Sequence, residues 1–145
     1  MDDQTLIYQL KDDLQEVFNN NEEYNNVTVK QQYNDFPSID FPVVVIYEIE
    51  NTDVAKFFDG REHICNISYQ FIVYAEQSAT KTASENVQSI LSIIRDYMRG
   101  AKYCALRRIG NTAITKKHDD DNVKIGYVRY VGRLNIDTNT IYRRN

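Results

Sequence analysis

A chain of 145 residues, 42% hydrophobic and 26% charged, has the size and make-up of one soluble globular domain, which argues against disorder over most of its length and requires no metal or disulfide for folding. Its net charge of −4 argues against sequence-independent binding to nucleic acid, whose phosphates demand a basic footprint. Two cysteines, Cys65 and Cys104, make neither a metal-ligand pattern nor a disulfide framework, and no stretch approaches the roughly 20 apolar residues of a membrane span.

In chain order, the acidic start Met1-Asp2-Asp3 lacks the apolar core of a signal peptide. Leu6, Ile7, Leu10, Leu14, Val17 and Phe18 recur at spacings of three and four, which predicts a first helix. Asp2 and Asp3 suit its N-terminus, and Asn19-Asn20-Asn21 its end. Val27-Thr28-Val29 reads as a brief strand. Pro42 can open the next strand without losing a ladder hydrogen bond.

Val43 to about Phe57 and Arg61 to Ala75 read as a long hairpin about Asp59-Gly60. Val43, Val45, Tyr47 and Ile49 alternate on one run, and Ile67, Tyr69, Phe71 and Val73 on the other. A two-residue turn would set these two series on opposite faces. A three-residue loop Phe58-Asp59-Gly60, or a bulge elsewhere, shifts the register by one and puts Tyr47 opposite Phe71 and Val45 opposite Val73.

Ala83, Val87, Ile90, Leu91, Ile94, Tyr97 and Met98 form the stripe of a second helix. Thr82 with Glu85 predicts a capping box, and Gly100 a left-handed C-terminal residue. Arg95 and Arg99 suit the negative end of the helix dipole. Leu106–Thr115 and Val123–Asp137 read as two more strands joined by a polar loop, Lys116–Asn122. The expected fold is α+β: an antiparallel sheet of four to five strands with two helices on one face. Residues 1–138 form the domain and 139–145 a flexible tail.

Motifs for chemistry are sparse. The five glycines fit no phosphate-binding pattern. His118-Asp119-Asp120-Asp121 is the densest set of potential metal ligands, but it lacks the glycine and distal glutamate of a calcium loop and reads as turn chemistry. His63 reads as a hydrogen-bonded strand histidine. Glu48 and Glu50, two apart, would share a strand face and could serve a carboxylate mechanism, but such a pair is more often simply the solvent face of a strand. The expectation is a non-enzyme with no cofactor or metal. Eleven tyrosines and no tryptophan do stand out, because tyrosine favours interfaces. Phe57-Phe58 at the hairpin tip point to opposite faces, so at least one of them is expected to meet a partner chain.

Three stretches together carry a resemblance: the proline-opened strand Phe41–Tyr47, the strand–helix centre Ile67–Ala75 with Ile90-Leu91 and Ile94, and the ending Tyr130–Asp137 with Thr140–Arg143. The pattern resembles the tail terminator and tail completion proteins of long-tailed bacteriophages. The resemblance implies a homo-oligomeric, usually hexameric ring. Such a ring caps the tail tube, stops its growth and faces the head connector or neck protein, first in the host cytoplasm and then in the virion tail. Its implied contact residues are Phe57, Phe58, Asp59 and Arg61 of the hairpin, His118, Asp119 and Asp120 of the polar loop, and Tyr142, Arg143 and Arg144 of the tail. A monomeric neck or minor capsid adaptor, or a tail assembly factor, is the alternative. Neither reading calls for membrane or specific nucleic-acid binding.

Overall fold

The computed structural model describes residues 3–31, 41–56, 63–110, 114–117, 120–135 and 140–141. Nine elements follow one another: α1 (Asp3–Asn19), β1 (Thr28–Gln31), β2 (Val43–Lys56), β3 (His63–Ala75), α2 (Ala83–Met98), β4 (Arg107–Ile109), β5 (Ile114–Lys117), β6 (Asp120–Asn135) and β7 (Thr140–Ile141). They make an α+β fold whose strands join in one sheet, ordered β1-β2-β3-β6-β4, with β5 and β7 also on β6.

The sheet is mixed rather than antiparallel, because β1 runs parallel to β2, pairing Thr28 with Val43 and Gln31 with Ile46. A four-residue strand carries no sign of its direction in its sequence. The other ladders are antiparallel.

The hairpin register differs from the expected one. Val44 faces Val73 and Ile46 faces Phe71, while Tyr47 faces Gln70. Two irregularities in β2, between Glu48 and Glu50 and between Asp53 and Ala55, each shift the register by one, so together they cancel the change of parity expected from a single bulge. The reason lies in Val43-Val44-Val45-Ile46, where every position is apolar, so alternation cannot say which parity turns inward. Here Val44 and Ile46 join the helix-side core, and Val43 and Val45 are buried on the other face. The tip, with Phe57, Phe58, Asp59 and Arg61, lies outside the described residues.

One apolar core holds both helices against one face of the sheet. Leu6, Ile7, Leu10, Leu14 and Phe18 of α1 and Val87, Ile90, Leu91, Ile94 and Met98 of α2 meet Cys65, Ile67, Tyr69, Phe71 and Val73 of β3. The period of α1 and α2 is thus read out directly as burial. Thr82 and Glu85 make the predicted capping box at the start of α2. The end of α2 differs from expectation: Arg99 is the C-cap in right-handed helical geometry, and the chain continues into further turns as Tyr103 and Cys104 N–H groups donate to the Gly100 carbonyl. The Arg99 N–H donates to the Arg95 carbonyl and the Gly100 N–H to the Tyr97 carbonyl, so the last turn of α2 closes without a left-handed glycine at Gly100. Gly110 has that conformation instead (φ 71°) and divides the expected Leu106–Thr115 strand into β4 and β5.

The polar loop is also shorter than expected. Lys117 of β5 pairs with Asp120 of β6, so Asp120 stands in a strand, and His118 and Asp119 between them lie outside the described residues. At the chain end β7 pairs Thr140 with Asn135 and Ile141 with Leu134, and Ile141 packs on the core. The sheet thus extends past residue 138, into the stretch read as tail; Tyr142, Arg143 and Arg144 lie outside the described residues.

Candidate functional site

Of the ten residues proposed from sequence as contacts, only Asp120 falls within the described residues, in β6. Glu48 and Glu50 do not form a pair on one face: the bulge between them sets Glu48 opposite Tyr69 and Glu50 opposite Ser68, consecutive residues of β3. His63 stands in β3 opposite Lys56. Among the described residues no three His, Cys, Asp or Glu side chains gather as a metal site. Cys65 is buried and Cys104 exposed, both as thiols rather than as a disulfide. No described helix is long and apolar enough to cross a membrane.

Two surface features do emerge. The first is the sheet face turned away from the helices. Cross-strand register places Val43, Val45 and Tyr47 of β2, Ile72 and Tyr74 of β3, and Ile125 and Tyr127 of β6 together on it. The tyrosines and isoleucines are half-buried, and Phe41 stacks on Tyr74 with ring centroids 6.3 Å apart. Burial, with Tyr47 and Tyr127 close by, pushes the Tyr74 hydroxyl above its ordinary value. The sheet edge beside this face is also open: β1 covers β2 only from Val43 to Ile46, and from Glu50 to Lys56 the outer edge faces no other described strand. The opposite edge is treated differently. Along β6 the short strands β5, β4 and β7 lie in succession, the kind of fragmentation that blunts edge-to-edge pairing.

The second feature is a cleft of about 320 Å³ at the C-terminal end of α2, lined by Arg95, Met98, Arg99, Cys104, Leu106, Arg108 and Tyr130. Its construction follows from the packing beneath. Gly126 of β6 lets α2 lie close, since a Cβ there would come within 2.4 Å of Val87 Cγ1. Gly132 does the same for Leu106, 2.5 Å from the corresponding point. The close seat brings Arg95 and Arg99 on the last turns of α2 over Tyr130, which faces Arg108 across the β4–β6 ladder. The Tyr130 ring packs edge-on against Phe71 (5.8 Å, 89°) and is only 5% exposed. Its hydroxyl has no hydrogen-bond partner among the described residues. Burial raises its pKa, while the Arg108, Arg95 and Arg99 guanidiniums pull it the other way without cancelling the rise. The guanidiniums are only lightly engaged: Arg95 donates to Ser92 Oγ (3.2 Å) and Arg99 to Asp96 Oδ1 (3.4 Å).

Two polar networks, by contrast, are closed. Tyr24 Oη donates to Asn86 Oδ1 (2.9 Å), Asn86 Nδ2 donates to the Glu76 carbonyl (2.9 Å), and Lys81 pairs with Glu23 (2.8 Å). Asp13 accepts from Lys102 Nζ (2.6 Å) and Tyr103 Oη (2.7 Å). They tie loops and α1 to α2, and read as structural.

Sequence reading missed the cleft. Arg95 and Arg99, four apart, were assigned to the helix dipole, which explains their position on α2 but not their convergence with Arg108. The i, i+4 spacing puts them on one face; what could not be read was the pairing of β4 with β6. No protein-family model matches the chain, and a comparison with curated proteins finds no match.

Proposed function

We propose that this chain is a non-enzymatic assembly protein of the tail terminator kind, whose copies close into a ring, six-fold by the resemblance above. The ring would cap a phage tail tube, stop its growth and present a surface to the head connector. The observation that carries the reading is the two-faced sheet. It is apolar on both sides, yet among the described elements both helices lie on one side only. An apolar face rich in tyrosine beside an open strand edge has the composition and backbone geometry of a docking surface. A ring also needs two different patches that close on rotation, and the open face and the arginine cleft are two such patches.

Light scattering behind size exclusion, over a range of protein concentrations, tests this directly. A discrete closed oligomer that also binds purified tail tubes is the expected result. A chain that stays monomeric and leaves tail tubes untouched refutes the terminator reading. A monomer that binds the tube end as a single copy replaces it with the adaptor reading.

A further inference from the structure

The two ends of α2 carry opposite charge. Its 16 residues span about 24 Å at 1.5 Å per residue. Around the N-terminal end gather Glu22, Glu23, Glu76 and Glu85, all exposed. Glu76 is brought there by the hydrogen bond from Asn86 to its carbonyl, and Glu22 stands next in the chain to Glu23, which pairs with Lys81. Glu85 is occupied as the cap of α2 and Glu23 by Lys81. The Glu22 and Glu76 carboxylates have no ion-pair partner among the described residues. At the other end three guanidiniums converge on a cleft, above a tyrosine that is nine-tenths buried and whose hydroxyl is unpartnered among the described residues. A phenol held in that way is a hydrogen-bond donor aimed into the cleft, and the cations around it select an acceptor with negative charge.

We propose that the arginine cleft is a carboxylate socket for a second copy of this chain, which inserts Glu22 and Glu76 from the opposite end of its own α2. The contact is heterologous, head to tail, and so can propagate around a ring. It rests on the self-assembly reading above and assigns one of its two interfaces. Charge complementarity is the argument for this occupant. The chain carries a net charge of −4, so copies repel each other at long range unless opposite patches meet. Guanidinium forks match carboxylates in two parallel hydrogen bonds, and a cleft of about 320 Å³ admits the ends of side chains rather than a helix or a strand.

A charge swap between full-length chains tests it. Variant one carries Arg95→Glu and Arg108→Glu; variant two carries Glu22→Arg and Glu76→Arg. All four positions are exposed or half-exposed, so both variants should keep the wild-type circular dichroism spectrum and melting temperature. Each variant alone should associate at least about 100-fold more weakly than wild type, because like charges now meet. Mixed one to one they should recover the oligomer, since each cleft again meets an end of opposite sign. Wild-type association should weaken as salt rises. Tyr130→Phe, which keeps the ring on Phe71 and removes only the hydroxyl, should weaken association roughly five- to tenfold. It serves as the second probe if a reversed variant folds poorly. If the wild type forms an oligomer that both variants retain, the socket is refuted while self-assembly stands. If both variants dissociate and the mixture does not recover, the pairing of these two ends is refuted. A wild type that is monomeric at every concentration, in low salt as well, overturns the socket and self-assembly together.

Discussion

The seat of α2 on β6 leaves no room for a side chain at Gly126, and Gly126→Ala puts a number on it. A Cβ at this position would lie 2.4 Å from Val87 Cγ1 and 2.8 Å from Leu91 Cδ1, against about 3.5–4.0 Å for relaxed carbon pairs. Neither neighbour can step aside cheaply. Both are on the buried face of α2, and valine in a helix has one strongly preferred rotamer. The helix must therefore lift by something near 1 Å, given ordinary carbon contact distances. Overpacking of this kind costs about 1–3 kcal/mol, offset by about 0.4–1 kcal/mol because alanine restricts the unfolded chain. The net expectation is a loss of about 1–2 kcal/mol, or roughly 3–8 °C in melting temperature for a domain of this size. Thermal and urea unfolding would measure it. Gly110→Ala is the control, because its Cβ would meet nothing within 4 Å and only the left-handed backbone resists. The decisive variant is Gly126→Ala with Val87→Ala. Removing the valine methyls vacates the space, so the double mutant should be more stable than the sum of the two single effects by about 1 kcal/mol. Strict additivity, or a Gly126→Ala protein as stable as wild type, would refute the reasoning.

Other perturbations follow from the two polar networks. Burial draws the Asp13 carboxyl upward, but hydrogen bonds from Lys102 and Tyr103 and the Lys102 charge outweigh it and hold the group below its ordinary value of 3.8. A lowered folded-state pKa means that this stabilisation is present above the unfolded value and is lost as pH falls through the folded one. Stability should thus decline below about pH 4 in wild type, and in Asp13→Ala that part of the acid limb should disappear from a pH series of urea melts. The same variant should cost about 1–3 kcal/mol at neutral pH by stranding the buried Tyr103 hydroxyl. Tyr24→Phe removes the 2.9 Å bond to Asn86 and should cost about 1–2 kcal/mol in the same assay. Thr82→Ala, which opens the capping box, should cost about 1 kcal/mol.

The helices were legible because periodicity of 3.6 survives translation into burial without reference to anything else. Every stripe residue of α1 except Val17 is buried, and the Thr82–Glu85 box needs only four consecutive residues. The sheet was legible where alternation was clean, as in Ile67–Val73, and illegible where it was not. Val43–Ile46 is apolar and buried at every position, so its parity is a property of the partner strand. The direction of β1, the division of β4 from β5 and the docking of β7 are likewise decided by non-local pairing, which a four-residue or two-residue segment cannot encode alone. The arginine cleft belongs to the same class. Its residues come from α2, the segment that follows it, β4 and β6, separated by up to 35 positions of chain (Arg95 to Tyr130), and each has an ordinary local explanation.

That construction also sets what a functional test must control. Tyr130 belongs to the core by its ring and to the cleft by its hydroxyl, and Arg95 and Arg99 stand over it only while α2 keeps its close seat on Gly126. A lifted helix would move two guanidiniums away from the third, so Gly126→Ala should weaken self-association as well as stability even though it alters no charge. Loss of assembly in a destabilised variant therefore says nothing by itself about the socket. Charge reversal on exposed arginines and recovery by the complementary reversal separate the two effects, because packing cannot be restored by changing a charge on another molecule. If Gly126→Ala and Val87→Ala are coupled in the association constant as they are in stability, the seat and the socket are one mechanical unit. If the coupling appears in stability and not in association, the position of α2 matters to the surface more finely than to the core.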